Sequence, residues 1–451
     1  MNTKNNHAIV LGGSIGGLLA ARVLANHFTQ VTLIERDALT QGAENRKGAP
    51  QGRHLHALLA RGYQALVTLF PDFKADLLAA GAVICDIAND VRWYQGGSYS
   101  VNFKSGIDAV FISRPALEAL IRERVLALPN ITLRAACAVA ALTTTADQQQ
   151  VTGVTIHDRQ TGQDETLPAD LVVDATGRGS QIPKWLEALG YGTPAESVVN
   201  VGVSYATRLY RRTVSDEQAK ALLSVPVAPL ETRGGGVFPI EGSRWIVTLS
   251  GYQGSDAPTD EQGFMDYAQS LPAPELYELL KSVEPLSEIT AYKYPASRRR
   301  HYEQLTRFPA GLIAVGDAVC SFNPIYGQGM TVCALEALTM DEWLRKARQQ
   351  NEQPDSRQFL QLIAKVIDVP WTLAASADTV KAQPNLVDRY FDRLKKASQH
   401  DPVVNLAFIK VVQLLAPPAS LFYPPIVARV LLGGWRNGPQ KRLKTALAFP
   451  N

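Results

Sequence analysis

Val10-Leu11-Gly12-Gly13-Ser14-Ile15-Gly16-Gly17 reads as the end of a strand, a tight turn and the start of a helix. The residues before it, His7 to Leu11, are largely apolar and β-branched. Those after it, Leu18 to Leu24, are mostly leucine and alanine, as suits a helix packed on a sheet. Glycines at such a turn let backbone N–H groups approach a pyrophosphate, and the helix N-terminus adds partial positive charge. The pattern G-x-G-x-x-G fits at Gly12 and Gly17, with Ser14 in the middle position, where its hydroxyl could donate to a phosphate. A second strand, Val31-Thr32-Leu33-Ile34, ends in Glu35, 18 residues after Gly17. That is close to the spacing of an acid that accepts hydrogen bonds from a ribose. The bland alternative is a glycine-rich turn in an unrelated α/β protein.

A second stretch bears on which nucleotide. Gly311 to Gly316 reads as a strand closed by Asp317, and a long helix opens at Gly327 and runs through Leu338. An Asp at a strand end can bond a ribityl hydroxyl. Amides at a helix start can face the pyrimidine edge of a flavin, where negative charge gathers on reduction. Alone, this is equally an ordinary strand–turn–helix with a capping Asp. Paired with the first stretch it points to FAD. A third piece agrees: Ser113-Arg114-Pro115-Ala116-Leu117-Glu118 reads as a capped helix start, which would bring Arg114 to the pyrophosphate.

At this point the chain resembles the single-component FAD monooxygenases of the para-hydroxybenzoate hydroxylase fold, over roughly residues 7 to 345. Within that group it is most similar to the flavin epoxidases of polyether biosynthesis, such as those of the lasalocid and monensin pathways. The resemblance is carried by Arg46-Lys47-Gly48-Ala49-Pro50-Gln51 with His54 and His56, by Asp174-Ala175-Thr176-Gly177-Arg178-Gly179-Ser180 and by Tyr205-Ala206-Thr207-Arg208. Arg244-Trp245-Ile246-Val247-Thr248 and Asn323-Pro324-Ile325-Tyr326-Gly327-Gln328-Gly329-Met330 complete it. It implies an α/β fold: a Rossmann-like FAD-binding domain, an antiparallel-sheet substrate domain and a C-terminal helical region. It also implies cofactor contacts from Gly12, Ser14, Ile15, Gly16, Gly17, Glu35, Arg36, Arg46, Arg114, Asp317, Pro324, Gly327, Gly329 and Met330.

The implied reaction uses NADPH or NADH as a transient donor, since there is only one dinucleotide fingerprint. O2 then adds to reduced flavin, and the C4a-hydroperoxide passes its distal oxygen to an electron-rich carbon. For an apolar alkene the product is an epoxide and no side-chain base is required. No catalytic side chain is named. An aromatic or aliphatic hydroxylase and a prenyl reductase of the same fold remain alternatives. Phenol hydroxylases of this fold usually carry Asp-Gly where this chain has Asp174-Ala175. The Trp-x-Trp-x-Ile-Pro motif of flavin halogenases is missing, and Val237-Phe238-Pro239-Ile240 lacks the Trp of the prenyl reductases.

The organisation expected is a discontinuous FAD domain over 1–82, 107–189 and 291–350, a substrate domain over 83–106 and 190–290, and a helical region over 351–451. Gly234-Gly235-Gly236 is expected to precede a strand of the antiparallel sheet, which Ser204–Tyr210 and Trp245–Ser250 help to build. The 451 residues carry a formal charge of +3, too mild to argue for nucleic acid. Cys85, Cys137, Cys320 and Cys333 show no paired metal spacing and suit a reducing cytosol. The glycine fingerprint inside the N-terminal apolar run argues against a cleaved signal.

From Pro402 to Asn451 there is no Asp or Glu, while Lys410, Arg429, Arg436, Lys441, Arg442 and Lys444 are basic. Val411 to Ala428 is uncharged over 18 residues, but Pro417, Pro418, Pro424 and Pro425 exclude a spanning helix. Two readings remain: helices that lid the substrate cavity, or a surface for peripheral membrane contact. His54 and His56 sit two apart, which on a strand would give them one face. Packing or an FAD contact is the expectation for them, with a chemical role the alternative and no further metal ligand nearby.

Overall fold

The computed structural model describes residues 5–39, 42–213, 221–226, 231–252, 254–379 and 385–432. A five-stranded parallel sheet forms its base, in the order Leu312–Ala314, Leu171–Asp174, Asn5–Leu11, Phe28–Ile34 and Ile131–Arg134. Its strands are short apolar runs because both faces are covered, by helices and by the three-stranded antiparallel sheet of Cys137–Thr144, Val151–Asp158 and Asp164–Pro168, whose Val154 and Ile156 join the same core. Ile9, Leu11, Leu33 and Val172 are fully buried, as are Leu18 and Leu19 of the helix Ile15–Leu24. The long helix Gln328–Gln350 packs beside that first helix. The return strand is shorter than its sequence suggests, Leu312–Ala314, because Gly316–Ala318 turns into a 3-10 helix around Asp317. The helix that follows outruns the expected Leu338 by three turns, ending at Gln350 with Asn351 in the left-handed conformation.

An eight-stranded sheet forms the second layer. Its order is Cys320–Ser321, Thr290–Arg300, Glu196–Arg211, Arg244–Tyr252, Arg233–Ile240, Ala221–Ser224, Val91–Gln95 and Ser98–Tyr99. All pairings are antiparallel except that of Ala221–Ser224 with Val91–Gln95. Val83–Asp86 pairs outside this sheet, with Asp108–Phe111. The register sets Tyr205 opposite Ser250, Thr207 opposite Thr248 and Leu209 opposite Ile246. Strand alternation then separates two faces. Ala206, Tyr210, Trp245, Val247 and Leu249 pack against the helices Glu261–Gln269 and Pro274–Ser282. Thr207, Leu209, Ile246, Thr248 and Phe238 face the other way, toward the loop around His54.

Gly234-Gly235-Gly236 lies inside the strand Arg233–Ile240, not before it. A Cβ on Gly236 would come within 3.1 Å of Leu55 and 3.0 Å of Leu223. The glycines mark a close approach of a neighbouring loop to the sheet, the usual meaning of glycine inside a strand.

The C-terminal segment is helical: Ser356–Asp378, Leu386–Ser398, Pro402–Val412 and Pro424–Leu432. Ser356–Asp378 is long and apolar enough to cross a membrane, but Phe359, Leu360, Ile363 and Ile367 are buried, and Phe359 packs on Trp343 at 5.0 Å. Within 411–428 the chain breaks at each proline pair, and Leu414 takes a φ of 56°. The helix Pro402–Val412 is apolar on two sides because it serves two clusters. Ile409 joins the sheet face with Phe238 and Ile246, while Val404 and Val411 join Leu394, Leu421 and Val430. Gln413 pins it to the first layer by accepting the Ala60 amide at 2.8 Å. The basic residues Arg436, Lys441, Arg442 and Lys444 lie outside the described residues.

Candidate functional site

The glycine-rich turn is closed by backbone geometry. Gly12 has a φ of 100°, and a Cβ on it would meet the Ala175 carbonyl oxygen at 2.5 Å. A Cβ on Gly17 would sit 1.7 Å from the Gly12 carbonyl oxygen. No other residue builds this turn. The amide of Gly13 donates to Glu35 Oε2 at 2.7 Å, and Glu35 Oε1 accepts the Asp37 amide at 3.0 Å. Both Glu35 oxygens thus already accept a backbone amide, one of them from the turn.

A buried charge network surrounds the start of the helix Ile15–Leu24. Ser14 Oγ donates to Glu118 Oε2 at 2.7 Å, and Arg114 Nη2 reaches Ser14 Oγ at 2.8 Å and Glu118 at 3.2 Å. Arg46 spans Glu118 Oε1 at 2.6 Å and Glu35 Oε2 at 3.2 Å. Burial pushes the Glu118 carboxyl up, but Arg114 and Arg46 outweigh it and hold the group below the usual carboxylate range. Glu118 therefore stays charged and fixes two guanidinium groups at the helix N-terminus. Arg114 starts its own helix, Arg114–Leu126, where Ser113 Oγ accepts the Ala116 amide at 3.2 Å and Pro115 fills the first turn. Arg36, beside Glu35, is exposed and takes no part in the network.

The second stretch closes over the same cleft. Asp317 lies on the turn Gly316–Ala318, and burial raises its carboxyl against the pull of Arg178 and Arg114. Behind it, Glu336 Oε2 accepts the Gly316 amide at 2.6 Å from the fully buried face of the long helix. Pro324–Tyr326 forms a 3-10 turn, and the helix starts at Gln328, so its first amides, through Gly329 and Met330, have no intrahelical acceptor. Gly327 packs on the loop after His56: a Cβ on it would lie 3.1 Å from the Ala57 carbonyl oxygen.

Residues 5–347 match the family described as FAD binding domain. The chain is a member of that family. It is 34% identical to Protein Rv3254 of Mycobacterium tuberculosis (strain ATCC 25618 / H37Rv), over 96% of this chain and 94% of that protein. Its fold is that of a flavoprotein/dehydrogenase from Cytophaga hutchinsonii (TM-score 0.70, 14% identity, 95% of this chain and 100% of the other). It also matches p-nitrophenol 4-monooxygenase PnpA from Pseudomonas putida DLL-E4 (TM-score 0.64, 15% identity, 91% and 98%).

The residues fit FAD. Arg114 Nε and Arg178 Nη1 are buried polar atoms without a hydrogen-bond partner. Arg114 and the amides at Ser14, Ile15, Gly16 and Gly17 would hold the pyrophosphate, because the single Ser14 O–H, expected to donate to a phosphate, is given to Glu118; the remaining lone pairs of Glu35 would take the adenosine ribose. Asp317 would hold the ribityl chain, and the amides from Gly327 to Met330 would face the pyrimidine edge, with Pro324 beginning the loop over the ring. Arg46 stands one step back, ion-paired to the two acids that shape the site.

Three contributors are not singled out by sequence reasoning. Glu118 is one; its signal is the i, i+4 spacing to Arg114. Arg178 is another, its guanidinium 4.4 Å over the Tyr294 ring. The third is the buried chain that ties the flavin-side loop to the C-terminal region: Tyr205 donates to Asn323 at 3.2 Å, and Asn323 and Tyr326 both donate to Asp378.

The two histidines do not share a face, because their segment is neither strand nor helix. His54 Nδ1 bonds Thr207 Oγ1 at 2.8 Å, and its ring is closed off against Tyr205 and Tyr292. His56 folds back to the His54 carbonyl at 2.8 Å. Burial pushes His54 down to about 4 and His56 to about 3. Among the described residues no group of His, Cys, Asp and Glu is arranged to hold a metal ion.

Proposed function

We propose that the protein is an FAD-dependent monooxygenase that takes electrons from NADH or NADPH and epoxidises an alkene of an apolar natural product. The observation that carries this reading is the apolar cluster beside the loop around His54, whose Ala57 in turn lies against Gly327. Leu209, Phe238 and Ile246 of the sheet meet Leu406 and Ile409 of the C-terminal helix and Leu55 and Ala57 of the loop. Bound FAD supplies the oxygen transfer. The chain's own work is to orient the alkene on this apolar face and exclude water, which prolongs a reactive oxygen species.

The absence of Asp-Gly after Leu171–Asp174 leans toward an alkene and away from a phenol, and the shared motifs resemble the polyether epoxidases. Aromatic or aliphatic hydroxylation and prenyl reduction are the competing outcomes. Product mass after turnover with 18O2 separates them: one labelled oxygen for oxygenation, two added hydrogens and no label for reduction.

We also propose that the protein acts in the cytoplasm and touches anionic membranes through its C-terminal end. Phe422, Tyr423, Leu431 and Leu432 are exposed at the end of the described residues, and the chain from Pro402 onward carries basic side chains and no acid. Binding to phosphatidylglycerol vesicles but not to phosphatidylcholine vesicles, lost in Leu432→Ser with Phe422→Ser, is the expected result. Equal recovery in the supernatant with both lipids would refute it.

A further inference from the structure

We propose that His56 is a cofactor-binding residue whose Nε2 accepts a hydrogen bond from a ribityl hydroxyl of FAD; this rests on the FAD-binding reading above. The ring's state follows from one contact. His56 Nδ1 lies 2.8 Å from the His54 carbonyl oxygen, which can only accept, so Nδ1 carries the proton. A neutral imidazole has one such proton, which leaves Nε2 as a bare acceptor. Burial, with Arg114 and His54 nearby, keeps the ring from taking a second proton.

No described residue donates to Nε2. His56 is half-buried, so part of its surface stays free of protein contacts. His54, two residues earlier, is 5% exposed and differs in that respect.

The place of this acceptor selects its donor. On one side stands Arg114, whose charge reaches His56 and which also bonds Ser14 at the pyrophosphate end. On the other, the next residue, Ala57, touches the position of a Cβ on Gly327, where the flavin-side helix begins. The part of FAD that spans pyrophosphate and flavin ring is the ribityl chain. Phosphate and ring-carbonyl oxygens are acceptors and are repelled by a bare lone pair, whereas ribityl hydroxyls donate. Asp317 would take one hydroxyl, and His56 another.

The test uses apoprotein and FAD analogues. Dissociation constants are measured for FAD, for its three singly deoxygenated ribityl analogues and for FAD methylated at the ring N–H, with wild type, His56→Leu and His56→Gln. A net neutral hydrogen bond predicts that His56→Leu weakens FAD by roughly threefold to tenfold. One deoxy analogue should cost wild type the same factor and cost His56→Leu nothing further, and His56→Gln should recover part of the loss. In 15N-histidine wild type, the His56 Nε2 resonance should move upfield on loading FAD and not on loading that analogue. An unchanged constant in His56→Leu overturns the proposal. So does an equal penalty on every analogue, which a packing role would give, or a methylated ring that alone abolishes the difference. Failure of the FAD reading itself is distinct: wild type would bind none of the flavins.

Discussion

Asp378 Oδ1 accepts the Asn323 side-chain amide at 2.9 Å, joining the last residue of a C-terminal helix to the first residue of the loop over the flavin site. Tyr326 donates to the same oxygen at 2.7 Å, and Asn323 is fully buried. Asp378→Ala removes the acceptor of the Tyr326 hydroxyl and of one Asn323 amide hydrogen, while the same nitrogen still reaches the Tyr252 hydroxyl at 3.0 Å; each lost bond costs about 1–3 kcal/mol. The melting temperature should fall and FAD affinity should drop with it, while Asp378→Asn, which still offers a carbonyl, should lose less. Thermal melts with and without added FAD read this directly. Equal stability of wild type and Asp378→Ala would remove the latch.

Gly17→Ala should be severe. Its Cβ would lie 1.7 Å from the backbone oxygen of Gly12, which no rotamer change relieves. Overpacking of this kind costs about 1–3 kcal/mol, and the distortion falls on the pyrophosphate site. Purified Gly17→Ala should be colourless and lower melting. A yellow protein with wild-type FAD affinity would show that the turn tolerates a side chain.

Asp317→Ala and Arg114→Ala test the two ends of the cofactor separately. Charge-assisted bonds are worth about 1.5–3 kcal/mol, so each should raise the FAD dissociation constant about tenfold or more. FMN lacks the adenosine end. Arg114→Ala should therefore narrow the preference for FAD over FMN, and Asp317→Ala should leave that preference unchanged. Identical effects on both flavins from both variants would contradict the placement.

Much of this was legible in the sequence, for reasons of locality. The turn at Gly12–Gly17, the strand ending at Glu35 and the cap at Ser113 are local devices whose residues sit within one or two turns of each other. Glu118 is hard to read in the sequence, because an acid on a helix looks solvated until its partners, 104 residues away at Ser14 and in the loop at Arg46, are in place. Asn323 and Asp378 are 55 residues apart and share no pattern. Gly234-Gly235-Gly236 looked like a break because what fills the space over it, Leu55, comes from another layer. The divergence of His54 and His56 likewise depends on Thr207 and on the carbonyl of His54, not on their spacing.

Glu336 gives a pH signature. Burial pushes its carboxyl up to about 8, while the unfolded chain titrates it in the ordinary range. A group whose folded pKa is raised contributes stability that is full at low pH and is lost as pH rises toward the folded value. Between about pH 5 and pH 8, wild type should lose stability relative to Glu336→Gln, at up to about 1.4 kcal/mol per pH unit. The Gln oxygen can still accept the Gly316 amide. Denaturant midpoints of the pair across that range decide it, and a gap that does not change with pH would show that Glu336 is ionised in the fold.

Turnover with NADH or NADPH under 18O2, followed by product mass spectrometry, distinguishes oxygen transfer to a carbon–carbon double bond from its competing reactions. One labelled oxygen in an epoxide, or in the diol it opens to, is the result predicted by an apolar face beside FAD. A label on an aromatic ring would make the protein a hydroxylase. A product that gains two hydrogens and no label would contradict oxygenation altogether.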